Sequence, residues 1–248
     1  MRNRVAGCII AAIILIVVWH ILSIVINKSF LPTPWESVKA FCSLISSGEM
    51  GRNFSVSAMR IVVSIIIGLA LSIPLGIILG RSEKANLFLG PLIYLLYPIP
   101  KIVFLPIIIV LLGLGNAPKI LLITIVIFFQ IVVVARDAAK SIPESLVMSM
   151  RSLGVNRGQF TRYLILPYCF PDILTSLRVC IGTAIAVLFV AETFVSFDGL
   201  GFLILNGMET RQYPDMYAGV IGMALLGVAL YLIVDILENY FCRWKRYY

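Results

Sequence analysis

Residues 141–173 read SIPESLVMSMRSLGVNRGQFTRYLILPYCFPDI, a basic, half-polar segment set between some of the most apolar sequence in the chain. Ser141 and Glu144 have the spacing of a capping box, in which the hydroxyl takes a free first-turn amide and the carboxylate returns to the cap; Pro143 is tolerated in that turn. The pattern predicts a short helix from near Ile142, ended at Leu153-Gly154 because glycine accepts the left-handed backbone of a helix terminus. Asn156 with Gln159 is a second, weaker N-terminal signature, and Pro167 is expected to close the second helix. Two short helices would then carry Arg151, Arg157 and Arg162, with Leu153, Val155, Phe160 and Tyr163 interleaved. Such a surface suits a protein partner and not covalent chemistry.

The hydrophobic fraction is 60% and the charged fraction 13%, a composition that points to an integral membrane protein. A helix needs about 20 apolar residues to cross a bilayer core. Six stretches qualify: Cys8 to Ile26, Met59 to Gly80, Leu87 to Gly113, Ala117 to Ala135, Ile173 to Val195 and Met216 to Phe241. The expected fold is therefore all-α, with six transmembrane helices and a cytoplasmic loop between the fourth and fifth. Arg2 and Arg4 precede the first run, but it is long and no small-residue cleavage pattern follows, so it reads as a retained helix and not a signal peptide. The five cysteines (8, 42, 169, 180 and 242) lack metal or redox spacing and read as unpaired.

The net charge of +8 is explained by topology. With the N-terminus inside, the inner segments hold Arg2, Arg4, Arg81, Lys84, Arg136, Lys140, Arg151, Arg157, Arg162, Arg178, Arg243, Lys245 and Arg246, against Lys28, Lys39, Arg52, Lys119 and Arg211 outside. The positive-inside rule then places both termini and the central loop in the cytoplasm and removes the reason to invoke nucleic acid. Trp244, Tyr247 and Tyr248 suit the interfacial belt.

Along the chain, His20 has no partners in sequence and reads as an interfacial or packed side chain. Ser64, Gly68, Ser72, Gly76 and Gly80 recur every fourth position, a face on which a second membrane helix approaches closely. The third span carries Pro91, Pro98, Pro100 and Pro106, and broken backbone at membrane depth is tolerated only where it is buried in protein or lines a cavity. Lys101, with Tyr94 and Tyr97 one or two turns away, is the candidate contact for a passing anion. Equally open is that Lys101 snorkels, or satisfies carbonyls freed by Pro98 and Pro100. Glu192 ends the fifth span and either braces a gate, pairs with a basic residue, or is a solvated helix end. Asn116, Asp172 and Asp215 are expected helix caps, and Asp235 and Glu238 are expected to meet basic groups at the inner rim.

Gly154 followed at the matching distance by Leu164-Ile165-Leu166-Pro167 resembles the "EAA" coupling loop of binding-protein-dependent ABC importer permeases, with Met148-Ser149-Met150 where Glu-Ala-Ala would stand. Leu31-Pro32-Thr33-Pro34 before a short amphipathic helix is similar to the outer loop of the sulfonate, nitrate and taurine permeases. Leu112-Gly113-Leu114-Gly115 with Lys119, Ala191-Glu192, and Gly199-Leu200-Gly201-Phe202-Leu203-Ile204 are also similar to family patterns, with Leu112 for an aromatic residue and Phe202 for a tyrosine. The resemblance runs from about Leu31 onward. It implies an EAA-type loop whose contact with the ATPase falls on Arg151, Gly154, Val155, Arg157, Phe160, Arg162 and Pro167, and a translocation path past Tyr94, Tyr97, Lys101 and Glu192.

The sequence carries no Gly-x-x-x-x-Gly-Lys-Ser/Thr phosphate loop, no His-Glu-x-x-His and no paired cysteines, so ATP and metals are expected to be held elsewhere. The whole chain, 1–248, reads as one permease domain: first helix and outer loop to residue 57, core 58–241, cytoplasmic tail 242–248. The resemblance implies a non-enzymatic subunit in a bacterial inner membrane, moving a small anionic solute by alternating access. Its partners would be ATP-binding-cassette ATPases, a second permease subunit as a homodimer, and an extracytoplasmic solute-binding protein. Rival readings are an ion-gradient-driven secondary transporter, which would show intramembrane acids on several helices, a permease for a vitamin precursor, and an intramembrane enzyme, for which no nucleophile and base pair is present.

Overall fold

The computed structural model describes residues 2–194 and 196–242, with the backbone alone for residues 2–6, 8 and 9. Every regular element among those residues is helical. In order the elements are α1 (Arg2–Ile26), α2 (Pro34–Ser46), α3 (Glu49–Arg81), α4 (Glu83–Leu96), a 3-10 turn (Lys101–Phe104), α5 (Leu105–Leu112), α6 (Asn116–Lys140), α7 (Glu144–Ser152), α8 (Arg157–Phe160), a π turn (Thr161–Ile165), α9 (Leu166–Thr193), α10 (Leu200–Glu209) and α11 (Tyr213–Phe241). The expected side chains of Arg2 and Arg4, the span end at Val195, and Arg243, Trp244, Lys245, Arg246, Tyr247 and Tyr248 of the tail lie outside the described residues.

The count of six spans is corrected. Among the described residues four helices are long and apolar enough to cross a membrane: Glu49–Arg81, Asn116–Lys140, Arg157–Thr193 and Tyr213–Phe241. A fifth is reached only if Glu83–Leu96 and Lys101–Leu112 count as one span, and these are bent by 84°. The reason is local. Pro98 and Pro100 each lack an amide hydrogen, so the ladder of α4 cannot continue through them. In α1 the apolar part within the described residues, Ile10–Ile26, is shorter than a crossing requires. The architecture remains all-α and multi-pass.

The EAA-type loop is likewise not identified. Residues 148–150 are Met-Ser-Met in the middle of α7, and the acid of this segment is Glu144 in the first turn. The two expected caps exchange strengths. Ser141 closes α6, its hydroxyl donating to the Ala138 carbonyl at 2.9 Å, and Pro143 is the N-cap of α7 with no side-chain cap bond. Asn156 and Gln159 instead form a full reciprocal box, each backbone amide donating to the other side chain at 2.9 Å. Pro167 does not close a helix. The backbone widens into the π turn, where the Leu166 amide reaches back to the Thr161 carbonyl, and one helix runs through Arg157–Thr193. Asp172 therefore lies inside a helix, and Asp215 in the first turn of α11. Gly115 takes the cap position expected of Asn116.

The chain divides into two compact units, one of residues up to Ser57 with Glu192–Leu226, the other of Ala58–Ala191 with the residues from Gly227. In the second unit the small-residue face of α3 lies against α6. A Cβ built on Gly68 would come within 2.8 Å of Ile127 Cγ2, one on Gly76 within 2.6 Å of Ala135 Cβ, and one on Gly80 would overlap the Arg136 carbonyl oxygen. Ser64 donates across the same contact to the Ile120 carbonyl. Leu79, Ile93 and Val132 form the apolar centre where α3, α4 and α6 meet.

Candidate functional site

Glu192 belongs to the first unit and is fully buried. The Ser57 hydroxyl lies 2.7 and 2.9 Å from its two carboxylate oxygens, and the Gly201 amide donates to Oε2 at 2.8 Å. Ser57 Oγ accepts from the Leu200 amide at 2.8 Å, and Asn53 Oδ1 from the Gly199 amide at 2.9 Å. Three successive amides at the start of α10 are thus met by three buried side chains. A helix N-terminus presents unpaired amides and the positive end of its dipole, which a carboxylate answers on both counts. Glu192 is accordingly no solvated helix end. The Gly-Leu-Gly run permits this: Gly199 adopts φ 99°, and Gly207 and Gly219 let α10 and α11 touch, a Cβ at either falling 2.7 Å from its neighbour.

Lys101 belongs to the second unit and makes a mirror-image contact. Its Nζ donates to the carbonyls of Leu96, Tyr97 and Ile99 at 2.7, 2.8 and 2.7 Å. These carbonyls lie at and just beyond the end of α4, where the proline break leaves Leu96 only a long bond of 3.3 Å from the Ile99 amide. An ammonium has three donors, and all three are taken. The ammonium also stands 4.7 Å from the Phe129 ring centroid, a cation–π distance. Of the readings open from the sequence, satisfaction of freed carbonyls is the one the geometry contains. Tyr94 is engaged elsewhere: its hydroxyl accepts from Arg136 Nη2 at 3.1 Å, beneath a guanidinium 4.9 Å from its ring. Arg136 is further held by Asp137 at 2.8 Å.

Lys101 and Tyr97 line a cavity of about 300 Å³ with Gln130 of α6 and Thr183 of α9. The remaining lining, including Ile102, Val126, Phe129 and Val187, is apolar. Gln130 Oε1 is buried and has no hydrogen-bond partner among the described residues. The sequence reading missed Gln130; its signal was an amide interrupting the apolar run of the fourth span. A larger cavity of about 620 Å³ in the first unit is lined by Lys28, Glu36 and Arg211 around the Pro32 turn.

At the other candidate region, Arg151, Gly154, Arg157 and Arg162 are exposed while Val155, Phe160 and Pro167 are half-buried. Gly154 adopts φ 70°, a left-handed turn that ends α7. Leu153 and Tyr163, 76% and 63% exposed, add apolar area between the arginines. The Arg81 guanidinium covers the Phe160 ring at 5.7 Å and so ties the turn to the end of α3. Asp235 and Glu238 of α11 pair with Arg178 of α9, at 2.8 and 2.5 Å. Arg60, inside the second expected span, is buried, and its Nε donates to Asn116 Oδ1 at 2.8 Å.

Comparison with known proteins gives three kinds of match. Residues 72–247 match the family model described as binding-protein-dependent transport system inner membrane component. Over 98% of its length the chain is 30% identical to a Bacillus subtilis protein named for aliphatic sulfonates transport, of which 88% is covered. It is 28% identical to the taurine transport system permease of Escherichia coli, over 94% of this chain and 87% of that one. It is also 28% identical to the formylaminopyrimidine transport permease of Halalkalibacterium halodurans, over 94% of each. Its fold is similar to a chain of the MetNI methionine ABC transporter in an inward-facing conformation, with a TM-score of 0.66, 19% identity, and coverage of 79% and 97% respectively.

Proposed function

The chain belongs to the family of binding-protein-dependent inner-membrane transport components; it is the permease subunit of an ABC importer, and we propose that its cargo is a small anionic solute of the sulfonate and taurine kind. The observation that carries the reading is the sulfonate relative matched over almost the whole chain. Work in such an importer is divided. The ATP-binding-cassette subunit supplies the energy, the solute-binding protein delivers the cargo, and the permease provides the path without chemistry of its own.

The path is proposed to pass Tyr94, Tyr97 and Lys101 in the second unit, with both termini and the α7–α8 turn on the cytoplasmic side. The excess of basic residues in the segments that this orientation places inside supports it. The ATPase is proposed to grip the exposed arginines 151, 157 and 162 around Gly154, with Val155, Phe160 and Pro167 as the apolar footing, in a complex with a second copy of this chain. A surface of charge with apolar anchors and a rigid turn suits a lever. Residue 154 tests it: Gly154→Val forces a β-branched residue into left-handed backbone, and uptake should fall at least tenfold with membrane insertion unchanged. Undiminished uptake would remove the lever.

Growth tests the cargo. In a host without sulfonate uptake of its own, the chain expressed with its ATPase and binding protein should restore growth on taurine or an alkanesulfonate as sole sulfur source. An ATPase unable to hydrolyse ATP should abolish it. Growth that survives that loss and stops with an ionophore would favour the secondary transporter.

A further inference from the structure

Where α1 ends and α11 begins, within the first unit, the partly open cleft of about 620 Å³ carries charge that the fold leaves unspent. Lys28 follows the end of α1 and Arg211 follows the end of α10. A cation so placed commonly donates to the last carbonyls of its helix, as Lys101 does at α4. Lys28 and Arg211 do not: among the described residues neither side chain has a hydrogen bond or an ion pair. Glu36 lines the same cleft. Its Oε2 accepts from the Thr33 amide and hydroxyl at 2.8 and 3.0 Å, while its Oε1 has no partner among the described residues. Asn27 and Arg211, at φ 43° and 59°, are the two non-glycine residues with left-handed backbone among those described, and both line this cleft. Such backbone is uncommon for an arginine.

Leu31 also borders a second, apolar groove of about 270 Å³, walled by Trp19, Tyr217, Val220 and Ile221. The helical repeat joins the two spaces. Asn27, Ser23 and Trp19 share one face of α1, and Tyr213, Tyr217 and Ile221 share one face of α11. A single seam between the helices therefore runs from the charged cleft to the apolar groove, about 12 Å along α1. Its walls are fixed. Trp19 Nε1 donates to the Pro32 carbonyl at 3.1 Å, the Trp19 ring stacks on Tyr217 with centroids 5.4 Å apart, and the Ser23 hydroxyl donates to the Leu31 carbonyl at 2.9 Å. Since α11 is one of the helices able to cross a membrane, its first turn lies at the interface and the groove opens toward hydrocarbon, where Val220 is 45% exposed.

We propose that this seam holds a phospholipid with an ethanolamine headgroup. The phosphate takes the unspent donors of Lys28 and Arg211, the ammonium takes Glu36 Oε1, and an acyl chain lies in the groove of Trp19, Tyr217 and Val220. Charge sets the choice of headgroup: a phosphate without an amine would leave the Glu36 carboxylate beside it with nothing to offset the repulsion. The groove sets the choice of a lipid, because a soluble zwitterion would leave it unfilled. This ligand lies outside the importer reading and is independent of the cargo.

The test is native mass spectrometry of the full chain purified with its ATPase, stripped of lipid in mild detergent and offered equal amounts of dioleoyl phosphatidylethanolamine and phosphatidylglycerol. The ethanolamine lipid should be retained several times more often than the glycerol lipid. Lys28→Gln combined with Arg211→Asn, asparagine being at ease in left-handed backbone, should lower its occupancy about tenfold, the loss expected of a charge-assisted hydrogen bond. Arg211→Lys alone should bind nearly as the parent does. Glu36→Gln keeps an acceptor for the Thr33 amide and should abolish the preference between the two lipids. Val220→Trp fills the groove and should lower occupancy by both; with Glu36→Gln it tests the seam if the double variant does not assemble. Glycerophosphoethanolamine, the headgroup without its chains, should fail to displace the lipid. Displacement by it would make the cleft a site for a soluble zwitterion and overturn the proposal. So would equal lipid occupancy in the parent and the variants, including the case in which Lys28→Gln with Arg211→Asn weakens only the solute-binding protein. Uptake is read in none of these arms, so failure here leaves the importer reading untouched.

Discussion

Glu192 and Lys101 solve one problem with opposite signs. Each is a full charge in apolar sequence, and each is met by backbone groups at a helix end: the Gly201 amide at the start of α10 for the carboxylate, carbonyls at and just past the end of α4 for the ammonium. Both signs agree with the helix dipole. The two differ in enclosure. Glu192 is sealed, with Ser57, also fully buried, locked between it and the next amide. Lys101 faces a cavity that admits other polar groups. The lesson is that a charge in a membrane chain marks a break in the backbone first.

The largest expected effect comes from the sealed side. Glu192→Leu leaves the Gly201 amide buried without an acceptor and frees Ser57, which should cost about 3 kcal/mol or more and abolish the folded species in a thermal-melting assay of the purified complex. A variant that melts as the parent does would show that α10 is held by packing alone. Lys101→Met is next. It removes the ammonium from three carbonyls, of which Leu96 keeps the Ile99 amide and the others face a cavity that lets water reach them, so the loss should stay at about 1–2 kcal/mol, read as a melting shift smaller than that of Glu192→Leu. A larger loss than at Glu192 would invert the comparison. Ser57→Ala keeps the carboxylate and its Gly201 bond and removes one donor and one acceptor, for a cost of about 1 kcal/mol. Lys101→Arg should be nearly neutral for stability, since charge and donors are both kept; a marked melting shift would mean that the compact ammonium geometry is itself required.

Much of this was legible because it is local or periodic. The four-residue spacing from Ser64 to Gly80 announced the α3–α6 contact, and the Asn156–Gln159 spacing announced a cap that forms in full. The prolines after Leu96 announced broken backbone; that they cost a straight span, and with it the count of six, depended on a bend that hydropathy does not record. The cap at Ser141 failed because Pro143 took the N-cap position of α7 and left the serine to end α6. Pro167 misled for a related reason: a single wider turn absorbed its missing amide. The burial of Glu192 was not legible at all, since its partners lie 135 residues earlier, at Ser57, and across a turn, at Gly201.

The most direct measurement is uptake of labelled taurine into liposomes holding the purified chain and its ATPase, with the binding protein and ATP supplied on their respective sides. Accumulation that requires all three, and that persists with ion gradients collapsed, is the predicted result. Accumulation without ATP hydrolysis, driven instead by an imposed ion gradient, would contradict it.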